Sequence, residues 1–213
     1  MIDKRRKIYA TTFLRALGLT TEEIINIFCL KETIEITKLE EMLSRTEKPY
    51  RLAQQIIDET TGEIIESFSE LDKSLIEKIK KLNISEVTVI SNSDKNIAIV
   101  KTLEEDKTLT HQEAVQSIYK VLQQHFMLDF RVAKNYLDNL LFNSKRYDLS
   151  KIGRHKINRK LAPIFEEIKN IKFGDIEFEE PTINTRTVTV VDIIATIKFL
   201  LKLNNGETFK NGA

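Results

Sequence analysis

The stretch at residues 144–161, SKRYDLSKIGRHKINRKL, holds eight side chains that are cationic or can become so, against one acid, Asp148. Tyr147 and Leu149 alternate with the charges, which predicts that the segment lies against a core and is not a free tail. Gly153 permits a turn, so we expect the segment to bend instead of forming one helix. An anchored cationic surface suits a nucleic-acid backbone, whose phosphates it would position without reading sequence.

The positive charge of the chain is concentrated in two short segments. The 213 residues carry a net charge of +1. The run Lys4-Arg5-Arg6-Lys7 next to Asp3 contributes +3 and the 144–161 stretch contributes +6, so the remainder is acidic at −8. This asymmetry predicts a localised anionic partner. Two solvated helix faces would produce the same pattern, so the charge alone leaves both explanations open.

The composition is typical of a globular chain, with 41% hydrophobic and 31% charged residues. A chain of 213 residues has room for one large or two small domains. The most apolar run, residues 188–201, contains Asp192 and Lys198 and is too short to cross a bilayer, so we expect no membrane segment. The single cysteine, Cys29, excludes an internal disulfide and fits a reducing cytosol.

The periodicity of apolar residues divides the chain into three blocks. Residues 1–30 and 106–213 have helical spacing, whereas residues 31–105 read as a small mixed α/β insertion. We therefore predict an α+β fold in which a helical domain is interrupted by that insertion. Helices are predicted over residues 10–17, before Gly18, and over residues 131–142 and 190–203. Two more helices are predicted to begin at capping boxes, one at Thr20 and Glu23 and the other at Thr110 and Glu113. A hairpin is predicted near Gly174.

Within the insertion, short alternating segments predict strands. These are residues 33–38, two strands joined by a turn at Thr61-Gly62, residues 85–90 and residues 96–103, with a helix over residues 71–82.

The sequence contains little that points to catalysis. There is no phosphate-binding glycine loop, no dinucleotide fingerprint and no metal-ligand spacing of Cys and His. The three histidines, His111, His125 and His155, are scattered, and we interpret the first two as surface or packing residues. The chain alone is therefore expected to have no active site, no cofactor and no metal.

Several segments resemble the lobe domain of the bacterial RNA polymerase β subunit. The strongest likeness is in residues 3–28 and 140–161, above all RYDLSKIGRHKINRKL. Residues 56–65 and 84–108 resemble the insertion in that lobe, and residues 190–207 resemble its last helix. Two departures are evident: Tyr9 stands where the family usually has proline, and QQHFMLDF replaces an Arg-Pro-Gly-Glu-Pro-like loop after Leu122.

The resemblance implies that the chain is a fragment of a much longer subunit. The whole enzyme makes RNA from ribonucleoside triphosphates on a DNA template, with Mg²⁺ held by the β′ subunit. The implied role of the lobe is noncatalytic: it forms one jaw of the DNA cleft and contacts downstream and non-template DNA. The implied partners are DNA, the β′, α and ω subunits and the σ factor. We expect a monomeric fragment in the cytoplasm, associated with the nucleoid and not with a membrane.

The resemblance also carries over candidate DNA contacts. These are Lys4, Arg5, Arg6 and Lys7 in the first basic run, and Arg146, Arg154, Lys156 and Arg159 in the second. Arg146 and Arg159 could instead brace the fold through internal carboxylates.

Two other functions are compatible with the sequence. The helices around residues 14–28 could form a helix-turn-helix regulator, although Thr21, Glu22 and Glu23 occupy the positions where base-reading side chains belong. Alternatively, the chain could be a scaffold in which both basic clusters pair with the acidic remainder.

Overall fold

The computed structural model of the chain describes residues 7–45, 49–123, 129–171 and 178–209. Two compact units divide the chain, one formed by residues 21–100 and the other by residues 1–20 together with 101–213. Helices combine with short antiparallel strands, which confirms the predicted α+β fold class. In chain order the elements are α1 Ala10–Ala16, α2 Thr21–Phe28, β1 Lys31–Glu35, α3 Ile36–Arg45, β2 Arg51–Leu52, β3 Ile56–Ile57, β4 Ile64–Ile65, α4 Lys73–Lys81, β5 Glu86–Ile90, α5 Ile97–Glu105, α6 His111–Gln123, α7 Phe130–Phe142, α8 Ser150–Ile168 and α9 Val190–Asn204.

A three-stranded antiparallel sheet with the order β1-β5-β2 forms part of the 21–100 unit. Its register places Ile34 opposite Val87 and Leu52 opposite Val89. Because alternate residues of a strand share a face, these four side chains lie on one side of the sheet. They are buried together with apolar residues of α3 and α4, so this face of the sheet and the two helices form the core of the unit.

The strands β3 and β4 form a separate antiparallel hairpin. Ile56 lies opposite Ile65, and Ile57 lies opposite Ile64. The predicted turn between these strands is confirmed. Gly62 within it has φ +74°, a left-handed conformation that glycine adopts without steric cost.

Two local predictions for this part of the chain are wrong. The strand predicted over residues 96–103 is instead a short 3₁₀ turn, Asp94–Asn96, followed by helix α5. Ile99 and Leu103 are buried while Ile97 is 40% exposed, so burial follows a four-residue spacing. That helical spacing outweighs the strand preference of the β-branched residues. The strand predicted over residues 33–38 ends at residue 35, and the unpredicted helix α3 begins at Ile36.

In the other unit, α1 packs against α6, and α6 packs against α7. The predicted capping box at the start of α6 is confirmed: the Glu113 amide donates to Thr110 Oγ1 at 3.2 Å, and the Thr110 amide donates to the Glu113 carboxylate at 3.3 Å. Helix α1 ends as predicted before Gly18, which has φ +104°. The two helices α6 and α7 contribute to one buried apolar cluster, formed by Val115, Ile118, Ala133 and Leu137.

The basic stretch continues into α8, which runs without a break through Gly153. The predicted bend is therefore wrong. A glycine inside a helix costs only about 0.5–1 kcal/mol relative to alanine, so packing can outweigh it. Leu161, Ile164 and Phe165 of α8 are buried, and α8 packs against α9, whose predicted helix is confirmed.

Some predictions fall on residues outside the described ranges. These are the packing of His125, the hairpin near Gly174 and most of the altered segment Gln123 to Phe130. Among the described residues, no helix is long and apolar enough to span a membrane, and no group of three or more His, Cys, Asp or Glu side chains could hold a metal ion.

Candidate nucleic-acid interface

One side of α8 presents a row of exposed basic side chains. Lys151, His155 and Arg159 are four residues apart and share a helix face, and Lys156 lies beside them. All four side chains are exposed, and none has an ion-pair or hydrogen-bond partner for its side chain among the described residues. Ile152, in the middle of the row, is 72% exposed. We call the four basic residues the α8 cationic face.

Arg154, a predicted DNA contact, is completely buried, with 0% of its surface exposed. Its Nη1 donates to both carboxylate oxygens of Asp192, at 2.7 and 2.9 Å. Its Nε donates to the carbonyl of Thr185 at 2.9 Å, and Nη2 donates to the carbonyl of Thr187. The prediction for Arg154 is therefore wrong, because the fold itself occupies the guanidinium and shields it from any external anion.

Asp192 links this buried arginine to the start of α9. Its Oδ2 accepts hydrogen bonds from the Thr189 amide at 2.8 Å and from Thr189 Oγ1 at 3.0 Å. Thr189 Oγ1 in turn accepts from the Asp192 amide at 3.2 Å, which completes a capping box. One turn after Arg154, Asn158 donates to the carbonyl of Pro181. These bonds fasten the segment before α9 to α8 and thereby fix which side of α8 faces outward.

The loop before α8 carries Arg146, whose side chain is exposed and has no ion-pair partner among the described residues. Asp148 in the same loop accepts hydrogen bonds from Arg186 Nε and from the Ser150 amide, each at 2.8 Å. The hydrogen bond from Arg186 and, to a smaller extent, the one from the Ser150 amide lower the pKa of the Asp148 carboxyl to about 2. The single acid of the basic stretch is thus paired with a cation and presents little net repulsion to an anion.

The bracing role considered for Arg146 and Arg159 belongs instead to Arg154. Both of the former are exposed, and neither contacts a carboxylate of the described residues. Lys156 is exposed as well, so three of the four predicted contacts in this stretch are accessible.

The N-terminal basic run is described only at its last residue. The predicted contacts Lys4, Arg5 and Arg6 lie outside the described residues. Lys7 is exposed. Directly after it, Ile8 and Tyr9 line an apolar groove of about 720 Å³ together with Ile157 and Leu161 of α8. Lys7 therefore precedes a segment that runs beside α8.

Comparison with known proteins identifies the family. The family model described as RNA polymerase Rpb2, domain 2, matches residues 71–208. The chain belongs to this family. It is similar to the DNA-directed RNA polymerase subunit beta of Chlorobium luteolum, with 28% identity over 97% of the chain, and of Chlorobaculum tepidum, with 30% identity over 96%. The corresponding subunit of Chlamydia caviae is 28% identical over 96% of the chain.

These alignments confirm the resemblance to a bacterial RNA polymerase β subunit. The chain spans 18%, 18% and 15% of those three relatives, less than a fifth of each. It therefore corresponds to a limited part of a much longer β subunit.

Two members of the cationic face of this Rpb2 domain 2 are absent from the predicted contacts. Lys151 and His155 lie on the same face as Arg159, at intervals of four residues. This spacing is visible in the sequence, but it becomes informative only if the segment is treated as one helix. Because a bend was predicted at Gly153, the helical spacing of Lys151, His155 and Arg159 was not recognised.

A second buried ion pair was not predicted from the sequence. Arg15 Nη1 donates to Asp106 Oδ2 at 2.5 Å, and Thr11 Oγ1 donates to the same oxygen at 2.6 Å. Thr108 adds its amide to the other oxygen at 3.0 Å. Burial opposes ionisation of Asp106, but the hydrogen bonds from Thr11 and Thr108 outweigh it and lower the pKa of this carboxyl. The pair joins α1 to the segment before α6 and has a structural role.

Proposed function

We propose that this chain is the noncatalytic lobe of a DNA-directed RNA polymerase β subunit and forms one jaw of the cleft that holds DNA. The α8 cationic face, together with Arg146 and Lys7, contacts the phosphates of downstream or non-template DNA. The observation that carries this proposal is the cationic face itself, on which exposed basic side chains share one helix side without carboxylate partners among the described residues.

Such a face is unfavourable in isolation. Like charges on neighbouring turns of a helix destabilise it by about 0.2–0.5 kcal/mol per pair, and Lys156 and Arg159 are three residues apart on this face. A polyanion relieves this repulsion and gains charge-assisted hydrogen bonds, with arginine offering a planar fork to phosphate. Contacts of this kind position the nucleic acid without reading its sequence.

The salt dependence of binding follows from the number of accessible cations. Lys7, Arg146, Lys151, Lys156 and Arg159 are exposed, and each counts as one positive charge in the formal charge of the chain at pH 7. If all five neutralise a phosphate of duplex DNA, the logarithm of the binding constant falls with the logarithm of the salt concentration with a slope of about −4.5. Binding by the isolated chain is expected to be weak and nonspecific, since in the enzyme the affinity is shared among several surfaces.

The remaining roles belong to the whole enzyme. In this proposal the β′ subunit holds Mg²⁺ and the enzyme transfers nucleotides from ribonucleoside triphosphates to RNA. The lobe adds no catalytic group, contacts the σ factor and works beside the β′, α and ω subunits in the cytoplasm, at the nucleoid. In this proposal, residues 31–105 form the inserted subdomain, and residues 1–30 and 106–213 form the helical lobe that it interrupts.

Two alternatives fit the observations less well. A helix-turn-helix regulator would read bases from the start of α2, but Glu22 and Glu23 lie there, and Glu22 accepts a hydrogen bond from the Gln55 amide at 3.1 Å. A scaffold without nucleic acid would pair its basic clusters with its own acids. The α8 cationic face has no such pairing among the described residues.

The test is salt-titrated binding of the 213-residue chain to labelled duplex DNA and to DNA with an open bubble. The variant Lys151→Glu, Lys156→Glu, Arg159→Glu should bind more weakly, and the slope should become shallower by about 2.7, or about 0.9 per lost phosphate contact.

The matched control is Lys38→Glu, Arg45→Glu, Lys73→Glu. It makes the same charge change at exposed residues of the 21–100 unit and should bind nearly as the unmodified chain does. Equal weakening by both triple variants would remove the assignment to α8. Sequence-specific binding would favour the regulator, and no binding at low salt would favour the scaffold.

A further inference from the structure

The β3–β4 hairpin exposes a pair of large aliphatic side chains. Ile57 and Ile64 face each other across the two strands and are 53% and 50% exposed. Ile56 and Ile65, on the opposite face, are buried in the core of the unit. Because successive strand residues alternate between faces, the two exposed isoleucines lie side by side on the outer face of the hairpin. Cross-strand aliphatic pairs stabilise a sheet, but half of this apolar surface remains in water.

A groove of about 600 Å³ adjoins this pair, between the turn of the hairpin and the loop after α4. Its apolar lining comes from Ile57, Leu82 and Ile84, and its charged lining from Asp58, Glu59 and Lys81. The exposed pair is thus continuous with a concave surface that could accept a protruding side chain.

The surroundings of the pair are acidic. Residues 55–70 contain five acids and no base, namely Asp58, Glu59, Glu63, Glu66 and Glu70. Lys78 pairs with Glu63 at 3.1 Å and Arg51 with Glu70 at 3.5 Å. Both side chains of the Lys78–Glu63 pair are exposed, so solvent weakens their attraction. Glu59 and Glu66 have no ion-pair partner among the described residues.

The turn of the hairpin is held in place by its own hydrogen bonds. The Asp58 carboxylate accepts from the Thr60 amide at 2.8 Å and from Thr61 Oγ1 at 2.5 Å, and the Gly62 amide donates to the Asp58 carbonyl at 2.8 Å. A surface that is already ordered loses less conformational entropy when a partner binds.

We infer that the outer face of this hairpin docks a cationic segment of another protein that carries aliphatic side chains. The aliphatic side chains of the partner cover Ile57 and Ile64, and its lysines or arginines face Glu59 and Glu66. Charge complementarity selects this occupant, since the same carboxylates repel a polynucleotide or an acidic peptide. The inference does not depend on the proposed function, because the hairpin and the α8 cationic face lie in different units.

The experiment uses the full chain, isotope-labelled for NMR, and a nine-residue synthetic peptide of alternating lysine and isoleucine as the probe. The peptide should shift the methyl signals of Ile57 and Ile64. The variant Ile57→Ser with Ile64→Ser should weaken binding about tenfold or more, because it removes two apolar contacts. Leu109→Ser is the matched control. It removes an aliphatic side chain that is 74% exposed in the other unit and should leave the affinity unchanged.

A second variant, Glu59→Gln with Glu66→Gln, tests the charges without touching the hairpin core. It should weaken binding several-fold and flatten the salt dependence, whereas Glu32→Gln with Glu35→Gln, at exposed acids on β1, should do neither. The inference is overturned if the serine variant binds as tightly as the unmodified chain, or if a lysine–serine peptide binds equally well. It is also overturned if the chain forms a dimer that the serine variant abolishes, since the occupant would then be a second copy of the chain.

Discussion

Replacing Arg154 with methionine gives the sharpest test of the structure. The guanidinium is 0% exposed and its partner Asp192 is 3% exposed. Methionine fills much of the volume but leaves the Asp192 carboxylate without its buried counter-ion and two backbone carbonyls without donors. Removing one partner of a buried ion pair costs about 3–5 kcal/mol. Domains are stable by about 5–15 kcal/mol, so this single change should remove a large fraction of the stability of its unit.

Urea unfolding monitored by circular dichroism measures the free energy of unfolding, and hydrogen exchange of the amides in α8 and α9 assigns the loss to this region. Arg186→Met is the matched control, because it breaks an ion pair with Asp148 in which the two side chains are 58% and 40% exposed. Exposed pairs contribute little, so the control should lose much less stability.

Arg154→Lys separates bracing from DNA binding. Lysine keeps the positive charge but cannot form the bidentate contact with Asp192 together with the two carbonyl bonds. If Arg154 braces the fold, this variant should be clearly destabilised. A loss below about 1 kcal/mol in both Arg154 variants would refute the buried network, because ordinary surface substitutions usually change stability by no more than about 0.5 kcal/mol.

Two further predictions concern the loop before α8 and the interior of that helix. Because the Asp148 pKa lies near 2, below its ordinary value of 3.8, the carboxylate stabilises the fold above pH about 4, and this contribution is lost as the pH falls towards 2. Asp148→Asn should therefore flatten the fall in unfolding free energy between pH 4 and 2, and an unchanged slope in parallel urea titrations would contradict the ion pair with Arg186. Gly153→Ala should stabilise the chain by about 0.5–1 kcal/mol, since the added Cβ meets nothing closer than 3.7 Å and alanine favours the helix. A lower melting temperature for this variant would show that the site is tighter than the structure indicates.

Features set by neighbouring residues were predictable from the sequence. The capping box of Thr110 and Glu113 involves residues three apart, and the Gly62 turn lies between two short apolar strands. Helix α9 combines a capping residue with a long apolar face. The failures arose where two local signals conflicted. In α5 the β-branched residues favoured a strand, but the burial of Ile99 and Leu103 follows a helical interval.

The role of each basic residue was less predictable, because it depends on distant partners. Asp192 is 38 residues from Arg154, and the carbonyls that accept from the guanidinium belong to a segment without regular structure. Nothing in the local sequence distinguishes Arg154 from Lys156 as a ligand for phosphate. Only the folded chain shows that one of them is enclosed and the other is exposed.

Helix geometry nevertheless explains why these residues cannot share a function. Each residue turns the helix by about 100°, so Lys156 lies about 160° around the axis from Arg154, and Arg159 lies about 140° from it. A strand of nucleic acid that contacts Lys156 and Arg159 therefore cannot also reach Arg154. Conversely, the contacts that bury Arg154 hold α8 in one rotation and keep Lys151, His155 and Arg159 turned to solvent. The cationic face depends on the buried arginine for its orientation, although that arginine contributes no charge to it.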